Sequence, residues 1–156
     1  MLELVSKPAS ASRVVTTHLV LPSHTNSLGS IFGGTVMSWI DIAAAIAAQR
    51  HSSSEVVTAS VDQTSFVAPV YKGWVVNIKA SVNFVSKTSM EVGVRVDAEN
   101  PRTGETFHTA SSYLTFVAID PQGKPKVVPR LIPESDDEKR RFFAAQKRRE
   151  QRLKQL

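Results

Sequence analysis

One apolar segment limits what this chain can fold into more than any other. From Thr35 to Gln49 the residues are apolar or small almost throughout, no Gly or Pro interrupts them, and Asp41 is the one carboxylate among them. Such a run predicts a helix from Thr35 to about Arg50. Because it is apolar nearly all round, that helix needs cover on most sides. Ser38 and Asp41 break the run, so it is not a membrane-spanning segment.

The cover comes from what surrounds it. "RVVTTHLVL" (Arg13 to Leu21) reads as a strand, and "PSHTNSLGSIFGG" as a long loop marked by Pro22, Asn26, Gly29, Gly33 and Gly34. After the helix the period changes from that of a helix to two. "EVVTASVD" (Glu55 to Asp62) is a strand and Pro69 to Gly73 a turn. "WVVNIKASVNFV" alternates, with Val76, Ile78, Ala80, Val82 and Phe84 on one face. "SMEVGVRVDAEN" alternates again, and "ETFHTASSYLTFVAID" (Glu105 to Asp120) is long enough for a strongly curved strand. Tight turns make the last three a meander. The order predicts an α+β fold: an antiparallel sheet of about five strands curled round one helix. One sheet covers only one side of such a helix, so a second copy of the chain is expected to cover the rest. Residues 1–12, rich in Ser and Ala, are expected to be flexible, 13–133 to form the single domain, and 134–156 to be a charged helical tail. That tail opens with Ser135 and acids and ends basic, in the sense the helix dipole favours.

Charge and composition exclude several classes. The net charge of +5 is concentrated in the tail, where eight Lys/Arg face five acids between Glu134 and Leu156. The body carries no helix-turn-helix and no aromatic–basic sheet pattern, so no nucleic-acid partner is expected. There is no cysteine, hence no disulfide, thiolate metal site or cysteine nucleophile. His18, His24, His51 and His108 fall at no metal-ligand spacing, and no GxSxG nucleophile elbow is present. No metal, no membrane association and a cytoplasmic location are the expectations.

Asp41 is the residue that this pattern leaves over. An apolar setting strips water from a carboxylate and sharpens its basicity, which suits a general base or a nucleophile. Gly33 and Gly34 put bare backbone N–H groups at the N-terminus of the same helix, a setting able to hold an oxyanion. Asn26, taken alone, is a turn former in a Ser/Gly-rich loop. Met37, Trp39, Phe66 and Phe84 read as core.

"TNSLGSIFGGTVMSWID", "VVTASVDQTSFVAPVYKG", "SKTSMEV" and "ASSYLTFVAID", in that order, resemble the hotdog-fold acyl-CoA thioesterases, in the branch of bacterial short-chain and animal cytosolic and brain acyl-CoA hydrolases. The likeness covers roughly Arg13 to Pro133. It implies hydrolysis of fatty acyl-CoA to acid and coenzyme A, with no cofactor, since coenzyme A belongs to the substrate. It implies Asn26 and Asp41 as the catalytic pair, contributed by opposite subunits, in a homo-oligomer that is at least a dimer and by family habit a trimer of dimers. It also lays Lys87, Thr88 and Ser89 along coenzyme A, with Arg95, Arg102 and Lys124 as further phosphate-binding candidates. Hotdog hydratases pair an Asp with a His a few residues on, and here Ile42 to Ile46 contain none. A non-catalytic acyl-CoA sensor of the same fold is the alternative.

Overall fold

The computed structural model describes residues 5–155. Five strands form one antiparallel sheet: β2 (Val14–Leu19), β3 (Glu55–Phe66), β4 (Val75–Val85), β5 (Ser89–Glu99) and β6 (Thr106–Ile119). Their spatial order is β2-β4-β5-β6-β3, so the meander is the middle of the sheet and β2 and β3 are its edges. Helix α1 (Gly33–Ser52) lies against one face. Val36, Ile40, Ala43, Ala44, Ala47 and Ala48 are buried there, against Val76, Ile78, Val82, Val92, Val96 and Leu114. This spacing of three and four along α1, meeting a spacing of two along each strand, is the predicted core.

Cover of α1 is incomplete within one chain. Ile42 is 56% exposed, and β3, beside it, has Val57, Val61 and Phe66 exposed along an edge with no further strand. A twelve-residue unpaired apolar edge next to an open helix flank fits a missing neighbour.

Two expectations need correction. Of residues 1–12, Ser6–Pro8 forms strand β1, paired parallel to β7 (Arg130–Ile132), and Ala9–Ser12 a 3-10 turn. Ser12 is fully buried, and its hydroxyl accepts from Val82 N at 2.9 Å, which ties this segment into the sheet. Residues 1–4 lie outside the described residues. The alternation of β4 also breaks before Phe84, where the register with β5 shifts. The bulge buries Asn83 and swings Phe84 to the outer face, where it meets Phe142 with ring centroids 5.0 Å apart.

The outer face carries the tail. Helix α2 (Asp136–Lys154) starts at a capping box: Ser135 Oγ accepts from Glu138 N at 3.0 Å, and Glu138 Oε1 accepts from Ser135 N at 2.9 Å. It crosses the sheet through Glu138–Arg13, Arg148–Glu91 and Arg152–Asp62 ion pairs.

At the far end of α1, His51 is fully buried and its Nε2 lies 2.8 Å from the Pro129 carbonyl, as donor, while Nδ1 has no partner. Burial pushes its pKa below the ordinary 6.5, the bond to Pro129 opposing this in part, and nearby Lys7 pushes the same way as burial. His18 is shifted down too, by burial and by His24. A group whose folded-state pKa is depressed binds its proton more readily when unfolded, so its stabilisation is intact above about pH 6.5 and declines as pH falls below it. The melting temperature is expected to drop between pH 7 and pH 5, and less so in His51→Phe; a drop of equal size in that variant would remove His51 as the cause.

Candidate active site

Asp41 occupies the flank of α1 that turns from the core toward β3. It is half-buried, and its Oδ1 accepts a 2.9 Å hydrogen bond from Thr58 Oγ1. Thr58 stands immediately before a register shift against β6, and Ser60 and Asp62 follow on the same edge strand. This bond orients one carboxylate oxygen. Thr58 had no sequence signal of its own, because it sits 17 residues away on another element and a Thr in a strand is unremarkable.

The loop before α1 is built by Asn26. Its Oδ1 accepts from Leu28 N at 2.9 Å and Ser30 N at 3.2 Å, and its Nδ2 lies 3.0 Å from Ser30 Oγ. The side chain is therefore a turn former, and one Nδ2 hydrogen remains for a ligand. Phe32 N donates to His24 O at 2.9 Å and Asn26 N to Ser30 O at 2.8 Å, which fastens this loop to the start of the helix. Trp39 reinforces it: its ring stacks on His18 at 4.2 Å and meets His24 edge-on at 5.1 Å.

Thr35 N and Val36 N both donate to Phe32 O, so the N–H groups of Gly33 and Gly34 are the unspent donors of this helix start. Neither glycine has a positive φ. A Cβ at Gly34 would meet nothing within 4 Å, and one at Gly33 only Phe66 at an ordinary 3.8 Å. Nothing inside the chain requires glycine at 34, whereas a ligand or neighbour approaching these donors would.

The fold thus places Gly33 and Gly34 at the start of α1, with Asn26 on the loop before it, and keeps the other candidates apart. Asp41 is eight residues along α1 from Gly33, about 12 Å at 1.5 Å per residue. The β4–β5 hairpin with Lys87, Thr88 and Ser89 is at the opposite end of the sheet. Ser89 pairs with Val117 and Phe66 with Ala110, seven residues apart on β6, or about 23 Å. In the hairpin the Lys87 and Thr88 carbonyls accept from Val128 N and Ala118 N at 3.0 Å, and Ser89 Oγ is taken up by Ser86 Oγ at 2.5 Å. Lys87 is exposed. Trp39 and Met37 are half-buried, and Phe66 is 50% exposed beside Gly33. Among the described residues no group of three or more His, Asp or Glu could hold a metal ion, and no helix is long and apolar enough to cross a membrane.

Comparison with known proteins gives a consistent result. The sequence model of the thioesterase superfamily matches residues 28–105. A Bacillus subtilis protein called an uncharacterized acyl-CoA thioester hydrolase is 46% identical over 127 residues, which are 81% of this chain and 74% of that protein. The mouse cytosolic acyl coenzyme A thioester hydrolase is 41% identical over 80% of this chain, which spans only 33% of that longer protein. Among solved structures, a hexameric acyl-CoA thioesterase superposes with a TM-score of 0.94 at 45% identity, over 97% of both chains. The acyl-CoA hydrolase of Staphylococcus aureus, in complex with butyryl coenzyme A, coenzyme A and coenzyme A disulfide, superposes at 0.90 with 39% identity, over 96% of this chain and 92% of that one. The same hydrolase has been solved with one Asp, one Thr or one Asn changed to alanine.

Proposed function

This chain belongs to the thioesterase superfamily of acyl-CoA thioester hydrolases, and we propose that it splits fatty acyl-CoA into free acid and coenzyme A at a site shared by two subunits. The observation that carries the reading is Asp41, oriented by Thr58 at 2.9 Å on the one helix flank the chain leaves open. A second subunit joined along β3 covers that flank and supplies what a single chain keeps about 12 Å away along the helix. Asn26, Gly33 and Gly34 of one subunit then face Asp41 of the other. The Gly33 and Gly34 N–H groups polarise the thioester carbonyl and receive its developing negative charge. The Asn26 amide orients the substrate or water.

Two routes fit Asp41. As general base it takes a proton from water while the water oxygen bonds to the acyl carbon; the C–S bond then breaks, and the thiolate recovers the proton. As nucleophile its carboxylate displaces the thiolate to form a mixed anhydride, which water hydrolyses. Neither needs a metal or a cofactor. The Asp, Thr and Asn replaced in the Staphylococcus aureus hydrolase are the residue types of Asp41, Thr58 and Asn26. Lys87 and Thr88 serve coenzyme A from the β4–β5 hairpin. A homo-oligomer of at least two subunits, extending to a trimer of dimers, and a cytoplasmic location are part of the same proposal; the solved relative is hexameric and the mouse relative is called cytosolic.

The test is hydrolysis of acyl-CoAs of graded chain length, followed by release of free thiol, with Asp41→Asn beside the parent. The chain has no cysteine, so every thiol detected comes from substrate. Turnover that collapses in Asp41→Asn with oligomer mass unchanged supports the reading. Tight binding of acyl-CoA without turnover would make the protein an acyl-CoA sensor instead.

A further inference from the structure

Strand β3 is longer than the stretch it pairs with. Its twelve residues, Glu55–Phe66, run against β6 from Ile119 to Ala110, and two register shifts take up the difference, one between Thr58 and Ser60 and one between Val61 and Gln63. Ala59 and Asp62 are therefore the extra residues, each without a partner across the ladder.

The first bulge decides which way Thr58 points. In a regular strand Thr58, Ser60 and Asp62 would share one face. Here Thr58 pairs with Phe116, a core residue, and Ser60 with the adjacent Thr115. Ala59 thus reverses the alternation. Thr58 reaches Asp41 on the helix face, at 2.9 Å, while Ser60 and Asp62 meet Thr115 and α2 on the other. The apolar pattern of β3 does little to hold this register. No residue of the strand is buried within the chain, Val57 and Val61 are each 45% exposed, and the strand is an edge. A slip by one residue turns every side chain to the opposite face, and a strand with no buried face resists it weakly.

Asp62 supplies the missing constraint. Its Oδ1 accepts from Ser60 Oγ at 3.1 Å, and its Oδ2 accepts from Thr115 Oγ1 at 3.4 Å and from Arg152 Nη1 at 2.7 Å. Ser60 and Thr115 are register partners, so one carboxylate clips the first pair beyond the Ala59 bulge. The Arg152 link is partly open to water, with that side chain 28% exposed, and pairs of this kind contribute little.

We propose that Asp62 is a positioning residue for the hydrolysis proposed above, resting on the reading of Asp41 as its catalytic carboxylate: Asp62 locks the double bulge of β3 and so holds Thr58 against Asp41. Asp62 acts from the outer face, through Thr58 and not on the reacting atoms. That separates it from a mere anchor for α2, which would act through Arg152.

The test is steady-state hydrolysis of acyl-CoA by full-length Asp62→Ala, Asp62→Asn, Arg152→Met, Thr58→Val and the double variant Thr58→Val/Asp62→Ala. Asp62→Ala is expected to lower kcat by about ten- to a hundredfold with little change in KM, as misplacement of a reacting group does. Asp62→Asn still accepts from Ser60 and can donate to Thr115 Oγ1, so it is expected to recover most of kcat. Arg152→Met is expected to stay near the parent. The double variant is expected to be no slower than Thr58→Val alone, because residues acting through one contact are not additive. Equal losses in Arg152→Met and Asp62→Ala would reduce Asp62 to an anchor for α2, and losses that multiply in the double variant would separate it from Thr58; either overturns the proposal. Should Asp62→Ala fail to assemble, Ser60→Ala removes one hydroxyl of the clip, and its loss of kcat must vanish in the Thr58→Val background. Hydrogen exchange over residues 57–63 reads the strand without turnover. Faster exchange in Asp62→Ala than in Arg152→Met is expected, and parent-like exchange in Asp62→Ala overturns the lock. If the parent hydrolyses no acyl-CoA, the proposed function fails by itself, and exchange still decides whether Asp62 holds the strand.

Discussion

An equimolar mixture of two crippled variants, Asn26→Ala and Asp41→Asn, is expected to regain about a quarter of the parent's activity, because the proposed two-fold interface would build two equivalent sites from opposite chains. Alone, Asp41→Asn loses the proton acceptor or nucleophile and is expected to fall by about 10²–10⁴. On the proposed mechanism the Asn26 amide orients substrate or water, so Asn26→Ala is expected to cost about 10²–10³. Random pairing makes half of the dimers mixed. In each mixed dimer one site carries both substitutions, and the other carries neither. The requirement for two chains rests on distance. Asp41 and the Gly33–Gly34 donors of one chain are about 12 Å apart along a rigid helix, whereas reacting groups must approach to about 3–3.5 Å. Co-expression with two affinity tags isolates the mixed species, and its thiol release decides the matter. Activity that stays at the level of the single variants in verified mixed dimers would place the whole site within one chain.

Most of the architecture was legible because two periods are distinct. The apolar run from Thr35 could only be a covered helix, and the alternation from Val76 and from Met90 could only be half-covered strands. Asp41 was legible as an exception within that pattern. What remained hidden was set by single residues of register. Nothing in "SVNFVS" shows that a bulge buries Asn83 and sends Phe84 to the opposite face; that follows from Glu91 and Gly93 on the neighbouring strand. A Cβ at Gly93 would come within 2.5 Å of Asn83 Nδ2, so the glycine makes room for the bulged side chain. Thr58 was hidden for a related reason. Its partnership with Asp41 joins two elements, and a single sequence carries no trace of it. Ser and Ala in residues 9–12 suggested looseness, but Ser12 is small enough to enter the core and carries a hydroxyl that meets a β4 amide. The charged tail hid most of all, since its docking depends on which few of its many cations find buried acids.

Arg148 is the cation that decides that docking, and Arg148→Met is expected to cost about 3–5 kcal/mol of stability. Its guanidinium donates to both oxygens of Glu91 at 2.8 and 2.9 Å, and it lies 3.7 Å from the centroid of the Tyr113 ring. The Glu91 side chain is only 4% exposed, and apart from Arg148 its one other side-chain partner is Asn83 Nδ2 at 3.2 Å. The Arg148 pKa is raised chiefly by its hydrogen bonds to Glu91. Methionine keeps an unbranched stem of similar reach but loses the guanidinium over Tyr113 and leaves a carboxylate buried without its counter-ion. For a chain of this length the loss corresponds to a drop in melting temperature of roughly 10 °C. Glu91→Gln combined with Arg148→Met removes the uncompensated charge and retains the amide link to Asn83, so the double variant is expected to recover most of the loss. Thiol release per folded chain should change little in either, because Asp41, the proposed catalytic carboxylate, lies on the other face of the sheet. Hydrogen exchange along residues 136–154 then separates two ways of losing stability. Exchange confined to α2 means that the helix lifts off a sheet that stays folded. Exchange spread through β4 and β5 means that the outer helix and the bulge at Asn83 hold one cooperative unit together. A melting temperature equal to the parent's in the single variant would show instead that water relieves Glu91 once Arg148 is gone, and that α2 is held by its remaining ion pairs at Glu138 and Arg152 and its apolar contacts at Phe142 and Ala145.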